Sequence, residues 1–289
     1  MYLMKSQNVR RITSFLLLGL LLLGAAFVAG CSKQNTATKD QAATPALTGT
    51  LTVAGSTSVQ PFSEVLAEKF MAANKGVQIN VQGGGSAVGI EAAISGAAQI
   101  GSVSRSLTAD EKTKLKDIQI ALDGIAIVVH PSNTLKALKT EDVMNIYLGN
   151  IKNWKELGGP DAPITVVSRE DGSGTREAFT TLVMNKKDII KTAIIQNSTG
   201  AVATTVAGDK NAIGYVSLSS VNSTIKALDV DGVAANEANV KAGTYKLQRP
   251  FVYVTKDAPA GLAKAFIDFV LSADGQKIIV DEGALSINK

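Results

Sequence analysis

The apolar positions of this chain switch repeatedly between two periods. Leu51 to Val53 is a short β-type run, and Phe62, Val65, Leu66 and Phe70 then fall at helical spacing. Val77, Ile79 and Val81 alternate as a half-buried strand does, and Ala87 to Ile94 predicts a helix after a run of glycines. Ile100 begins another apolar pair, and Thr108 to Glu111 has the capping-box pattern that opens a helix. Strands alternating with helices predict an α/β fold.

Ile120 to Val129 is an apolar run interrupted by Asp123 and Gly124, as expected of a buried strand that continues from one sheet toward another, with Pro131 and Asn133 ending it. Ile164 to Val167 predicts a strand entering a glycine-rich turn, followed by Phe179, Leu182 and Val183 at helical spacing. Pro250 to Thr255 predicts a late strand, and Phe266, Phe269, Val270 and Ile278 line closing helices. No internal repeat of fixed period is present.

The N-terminus differs from all of this. After Lys5, Arg10 and Arg11 comes an uncharged stretch from Ile12 to Ser32, whose core Phe15 to Cys31 reads FLLLGLLLLGAAFVAGC. It is barely long enough for a retained membrane anchor, which needs about 20 apolar residues. The small residues Ala29 and Gly30 at its end favour a cleaved signal instead. Val28 to Cys31 resembles the lipobox of bacterial lipoproteins, which implies a signal peptide over 1–30 and diacylation of Cys31. Two acyl chains suffice for lasting membrane attachment. Ser32 to Thr48, with Leu47 its single large aliphatic residue, cannot bury enough apolar area to offset its ordering entropy, so 31–48 reads as a flexible tether.

Composition and charge follow from this division. The chain has 29 Lys+Arg against 25 Asp+Glu, but the first 30 residues hold three of the bases and no acid, leaving 26 against 25. The mature protein is nearly neutral, and with few aromatic residues and no basic run among them nucleic acid is not an expected partner. One Cys and one His exclude an intramolecular disulfide and a Cys/His zinc cluster. No HExxH or clustered carboxylate pattern is present, so neither metal nor cofactor is expected.

Candidate chemistry lies in a recurrence. Four strands run into loops of Gly, Ser and Thr that each open a helix: Gly55 to Ser58, Gly83 to Ser86, Gly101 to Ser106, and Arg169 to Thr175. A helix N-terminus carries unpaired N–H groups and partial positive charge, glycine permits close backbone approach, and hydroxyls add donors. Each loop alone reads equally as a capped helix start; Thr57 to Gln60 even fits a capping box with Pro61 in the first turn. Four together point to an anion site. No loop completes a P-loop, a G-x-G-x-x-G fingerprint or a nucleophile elbow, and His130 sits at a strand end before Pro131. The set suits holding an anion, not transforming it. Arg105 and Arg169 supply bidentate cationic donors, with Asp171 placed to orient Arg169.

The segments GSTSVQPF at Gly55, GGGSAVGI at Gly83, IKNWKELGG at Ile151, SREDGSGT at Ser168 and NAIGYVSL at Asn211 resemble the phosphate-binding proteins of bacterial phosphate-specific ABC importers, from about residue 50 to the C-terminus. The resemblance implies a two-lobed periplasmic-binding-protein-like (type II) α/β fold with the ligand cleft between lobes joined by hinge strands. Crossovers are expected near Asp123 and Arg249, giving lobe 1 as 49–122 with 249–289 and lobe 2 as 123–248. It further implies that Ser56, Thr57, Ser58, Ser86, Arg169, Ser173, Gly174 and Thr175 bind inorganic phosphate. Delivery to the permease and ATPase subunits of an importer, by a lipoprotein anchored at the outer face of the cell membrane, follows from the same resemblance. Where longer members carry an aspartate that accepts the phosphate proton, this chain aligns Arg105. Sulfate has no proton at neutral pH, so losing that acceptor bears on phosphate-over-sulfate selection; a hydroxyl of Ser104 or Ser106, a backbone carbonyl or Asp171 are the candidate replacements. A receptor for another tetrahedral oxyanion, and a phosphomonoesterase on the same fold, are the alternatives.

Overall fold

A computed structural model describes residues 46–288; the expected signal peptide, Cys31 and most of the tether lie outside them. The elements in chain order are β1 (Thr48–Gly55), α1 (Gln60–Ala73), β2 (Gly76–Gly83), α2 (Ser86–Ser95), β3 (Ile100–Val103), α3 (Ala109–Lys114), β4 (Lys116–Val129), β5 (Ala137–Leu138), α4 (Thr140–Leu148), β6 (Thr165–Arg169), α5 (Gly174–Leu182), β7 (Ile194–Gln196), α6 (Thr199–Gly208), β8 (Ala212–Ser217), β9 (Lys226–Ala227), β10 (Asp229–Val230), α7 (Glu237–Lys241), β11 (Gln248–Thr255), α8 (Gly261–Leu271) and α9 (Ala273–Asp281). Strand pairing begins at Thr48, the last residue of the expected tether.

The main sheet runs β2-β1-β3-β11-β4-β8-β6-β7, with β9 on the far end of β4. β4 gives the order its meaning. Its first half pairs antiparallel with β11, and from Ile125 onward it pairs with β8 instead. The strands outside this junction, β1 with β2 and β3 on one side and β6 with β7 and β8 on the other, pair in parallel. The result is a mixed α/β sheet in two halves, with β4 common to both and β11 pairing its first part.

Both faces of each half are covered, which is why the strands read as apolar runs. In the second half Ile125, Ile127 and Val129 enter a core with Tyr147, Trp154 and Phe179, while Ala126 and Val128 point to the opposite core with Val202 and Val206 of α6. β11 alternates likewise: Phe251 and Tyr253 pack with Phe62, Leu66 and Phe266, and Val252 and Val254 pack with Ile90 and Leu107. The predicted helix faces correspond to α1, α2, α5, α8 and α9, although Leu182 is an exposed residue. The predicted capping box at Thr108 forms, the Thr108 N–H donating to Glu111 at 2.8 Å and the Glu111 N–H to Thr108 Oγ1 at 3.3 Å.

Where β4 changes partner, Asp123 and Arg249 stand opposite each other in register. Both are buried, and Arg249 Nε and Nη2 donate to Asp123 Oδ2 at 3.0 and 2.9 Å. Burial raises the Asp123 carboxyl and lowers the Arg249 guanidinium, while their attraction opposes both shifts. The Ser217 hydroxyl donates to Asp123 Oδ1 at 2.8 Å and so engages the other carboxylate oxygen. Breaking such a pair leaves an uncompensated charge in a dry interior. Asp123→Asn is therefore expected to destabilise the protein by about 3 kcal/mol, measured as a lower urea midpoint at unchanged slope.

Candidate anion site

The hydroxyl-bearing loops meet at the junction of the two halves. Ser58, on the turn after β1, lies at the centre: its Oγ is 3.0 Å from Thr175 Oγ1 and 2.9 Å from Thr199 Oγ1. Thr57 Oγ1 is 3.3 Å from Thr199 Oγ1 and accepts the Thr199 N–H at 3.2 Å. Arg169 Nη1 donates to Thr199 Oγ1 at 3.2 Å, and Arg249 Nη2 donates to Ser58 Oγ at 3.2 Å. Apart from Thr57, which is half-buried, these side chains are buried.

A second group lies beside the first. Ser86 Oγ accepts the Ser104 N–H at 3.0 Å and lies 3.4 Å from Ser104 Oγ. Gly174 packs directly against both hydroxyls; a Cβ there would overlap Ser86 Oγ, so the closest approach of α5 to the other half requires glycine. The Gly172 carbonyl accepts the Ala87 N–H at 3.0 Å, linking the halves through backbone.

Local structure explains these positions. Arg169 ends β6, where its N–H donates to the Tyr215 hydroxyl at 3.2 Å, and Tyr215 stacks on Phe179 with centroids 4.1 Å apart. Trp154 Nε1 donates to the Asn211 carbonyl at 3.0 Å. The segments beginning at Ile151 and Asn211 thus support the site from behind. Ser173 caps α5, accepting the Arg176 N–H at 3.3 Å, and Ser198 caps α6, accepting the Ala201 N–H at 3.1 Å. The N-termini of α2, α5 and α6 accordingly reach the hydroxyl groups.

Several expectations need correction. Thr57 does not cap α1: the N-cap is Val59, without a side-chain hydrogen bond, and the Thr57 hydroxyl engages Thr199. Ser56 shapes the turn, its Oγ accepting the Ser58 N–H at 3.2 Å. Asp171 does not orient Arg169. The turn at Gly172, φ 82°, leaves Asp171 95% exposed and paired with Arg176 at 2.9 Å, while Glu170 takes Arg169 Nε and Nη2, each at 2.8 Å. Arg105 is also outside the cluster. Its Nη1 and Nη2 donate to Glu111 at 2.7 and 2.8 Å, and its Nε lies 2.5 Å from Glu177. The fork that would suit an anion is occupied by the capping-box carboxylate. Ser104, not Arg105, faces the hydroxyls, whereas Ser106 is exposed and its carbonyl accepts from Arg105 Nη1 at 3.0 Å.

Two residues were not anticipated as site residues. Thr199 belongs to a fifth loop of the same type, Ser198 to Gly200 after Ile194 and Ile195, and that recurrence is its sequence signal. Arg249, expected as a crossover position, connects Asp123 to Ser58 and donates through Nη1 to the Ser104 carbonyl at 3.2 Å.

An α/β fold in two lobes, with hydroxyls and helix N-termini gathered between them, defines a binding protein of the periplasmic-binding-protein class. Residues 40–274 match the PBP superfamily domain. A phosphate-binding protein PstS of Bacillus subtilis (strain 168) is 36% identical over 283 residues, covering 93% of each chain. A Clostridium perfringens substrate-binding protein assigned to a phosphate ABC transporter and solved with bound phosphate superposes with a TM-score of 0.81 at 43% identity, over 83% of this chain and all of that one. An ABC-type phosphate transport receptor from Vibrio cholerae gives 0.70 at 37% identity, over 81% and 99%. The chain belongs to the PBP superfamily and, within it, to the PstS-type phosphate-binding proteins.

The Arg105 fork and the Thr108 N–H hold the Glu111 carboxyl at about 2, well below its ordinary 4.5. A depressed carboxylate pKa adds stability that is complete above about pH 4.5 and is lost as the pH falls toward 2. Glu111→Gln should cost about 2 kcal/mol at neutral pH, a linkage value reduced for partial exposure. Its unfolding curves should approach those of the parent chain as the pH is lowered toward 3.

Proposed function

We propose that this protein captures inorganic phosphate on the outer side of the cytoplasmic membrane and delivers it to the permease and ATPase subunits of an ABC importer. The observation carrying this reading is the convergence of Thr57, Ser58 and Thr175 with Thr199, which accepts from the Arg169 guanidinium, and with Ser86, Ser104 and Gly174 beside them. Phosphate would be held by these hydroxyls, by Arg169 and by N–H groups at the starts of α2, α5 and α6, which present donors without an unpaired cation. The family and the phosphate-bound relative support the same ligand.

Lobes of 49–122 with 249–289 and of 123–248 would close over the anion by bending at β4 and β11. Closure would exclude water and strengthen each hydrogen bond. Among the described residues no helix is long and apolar enough to cross a membrane. Attachment would come from acylated Cys31 with the following segment as tether, so Cys31→Ser should release the chain from the membrane fraction.

A receptor for a different oxyanion is the second reading, and one observation favours weighing it. Arg105 aligns with the expected proton acceptor but is held by Glu111, and Ser104, a candidate replacement, faces the hydroxyls; a hydroxyl both donates and accepts, so it would reject sulfate less strongly than a carboxylate. Isothermal titration with phosphate and with sulfate at neutral pH separates the two. Phosphate binding with sulfate much weaker is expected; sulfate binding as tightly would replace the phosphate assignment. Thr199→Val removes a hydroxyl shared by Arg169, Ser58 and Thr57, and should weaken phosphate about 10- to 100-fold with little change in thermal midpoint.

A further inference from the structure

Arg105 lies in one of the anion-type loops, yet the site leaves it unused, and its two carboxylate partners come from opposite halves of the sheet. Glu111 belongs to α3, which follows Arg105 in the same half. Glu177 belongs to α5, which starts from the end of β6 and carries Gly174 and Thr175 in its first turn. The guanidinium's fork is on Glu111, and its buried Nε lies 2.5 Å from Glu177, an ion-pair contact without hydrogen-bond alignment. We propose that Arg105 and Glu177 form an ion-pair latch that holds the two halves closed and slows the departure of bound phosphate; this rests on the phosphate reading above.

The placement supports a latch over an incidental surface pair. Arg105 directly follows Ser104, and Glu177 lies two residues beyond Thr175, so the pair is drawn together by the same two segments that bring site groups together. The pairs Lys114 with Asp110, Lys264 with Asp268 and Lys277 with Asp281 each lie within one helix and are indifferent to lobe movement. Arg249 with Asp123 joins the neighbouring strands β11 and β4 and does not part when the halves separate. Among the ion pairs of the described residues, Arg105 with Glu177 is the one whose partners hang from opposite halves.

The three-residue arrangement also makes the latch reversible. Glu111, itself fixed by the Thr108 N–H, keeps Arg105 oriented whether or not Glu177 is present. Opening therefore leaves no buried cation unpaired and returns the Glu177 carboxylate to water. Side-chain exposure is 10% for Arg105 and 40% for Glu177, which sets the gain at that of a partly screened pair.

The test is the release of radiolabelled inorganic phosphate from the full chain in detergent micelles, after dilution into excess unlabelled phosphate. Glu177→Gln and Arg105→Gln should each accelerate release about fivefold, the scale of one partly exposed ion pair, with association rates unchanged because the latch forms after binding. The double variant should release no faster than either single one. Added salt should quicken release from the parent chain and leave Glu177→Gln unmoved, a response that a merely structural role for Glu177 does not produce. Glu177→Gln, at a half-exposed helix position, carries the test alone if Arg105→Gln fails to fold. Release from Glu177→Gln at the parental rate, unaltered salt dependence, or multiplicative effects in the double variant would overturn the latch while leaving the phosphate reading intact. A parent chain that retains no phosphate at any salt concentration would overturn that reading and the latch with it.

Discussion

The buried pair of Asp123 and Arg249 is the interaction on which the arrangement of the site depends. Two charges taken from water at the point where β4 exchanges β11 for β8 bring little stability compared with apolar residues of the same size. What they bring is connection. Asp123 occupies Arg249 Nε and Nη2 on the strand side, leaving donors for Ser58 Oγ and the Ser104 carbonyl. Ser217 holds the other carboxylate oxygen from β8. One guanidinium thereby ties β4 and β11 to the hydroxyl at the centre of the site, and because it donates to Ser58 Oγ, it leaves the Ser58 proton free to be given elsewhere.

The site's charge is correspondingly economical. Arg249 is neutralised by Asp123 and Arg169 by Glu170, so an arriving anion meets donors and dipoles more than net positive charge. Hydroxyls that bond to one another when no anion intervenes can each turn a proton toward one that does, at little cost in reorganisation. The nearly neutral charge balance beyond residue 30 agrees with a site of this kind, in which attraction is local and long-range steering contributes little.

Much of this was legible in the chain because periodicity and loop chemistry are local. The apolar run through Asp123 and Gly124 is one strand, β4, and the loops at Gly55, Gly83 and Arg169 open helices as read, whereas Gly101 to Val103 belongs to β3 itself and the helix after it is capped by Thr108. What was not legible depends on which partner a side chain meets. Thr57 has the spacing of a cap but lies within reach of Thr199, 142 positions away, and spacing carries no information about that. Glu170 rather than Asp171 holds Arg169 because the turn at Gly172 directs one carboxylate inward and the next outward. Arg105 looks like a ligand of the anion until Glu111, a capping residue in its own right, is seen to fill its fork. Arg249 is one arginine before a proline; its importance comes from a strand register that joins residues far apart in sequence.

The loop from Ser104 to Glu111 shows why neighbouring residues here serve different ends. In the bend that follows β3, Ser104 faces Ser86 while Arg105 turns away toward α3. An acidic residue in place of Ser104 would supply an acceptor-only group to a protonated anion, but would stand beside a carbonyl already pointing at Arg249 and close to Asp123. Serine avoids adding a second buried negative charge there, at the cost of a less exclusive acceptor. Discrimination between a protonated and an unprotonated oxyanion must then come from the number and direction of donors around it. Each hydroxyl that is itself fixed by a stronger donor, as Ser58 is by Arg249, has its proton committed outward. A hydroxyl that meets only another hydroxyl, as Ser104 meets Ser86, can accept instead.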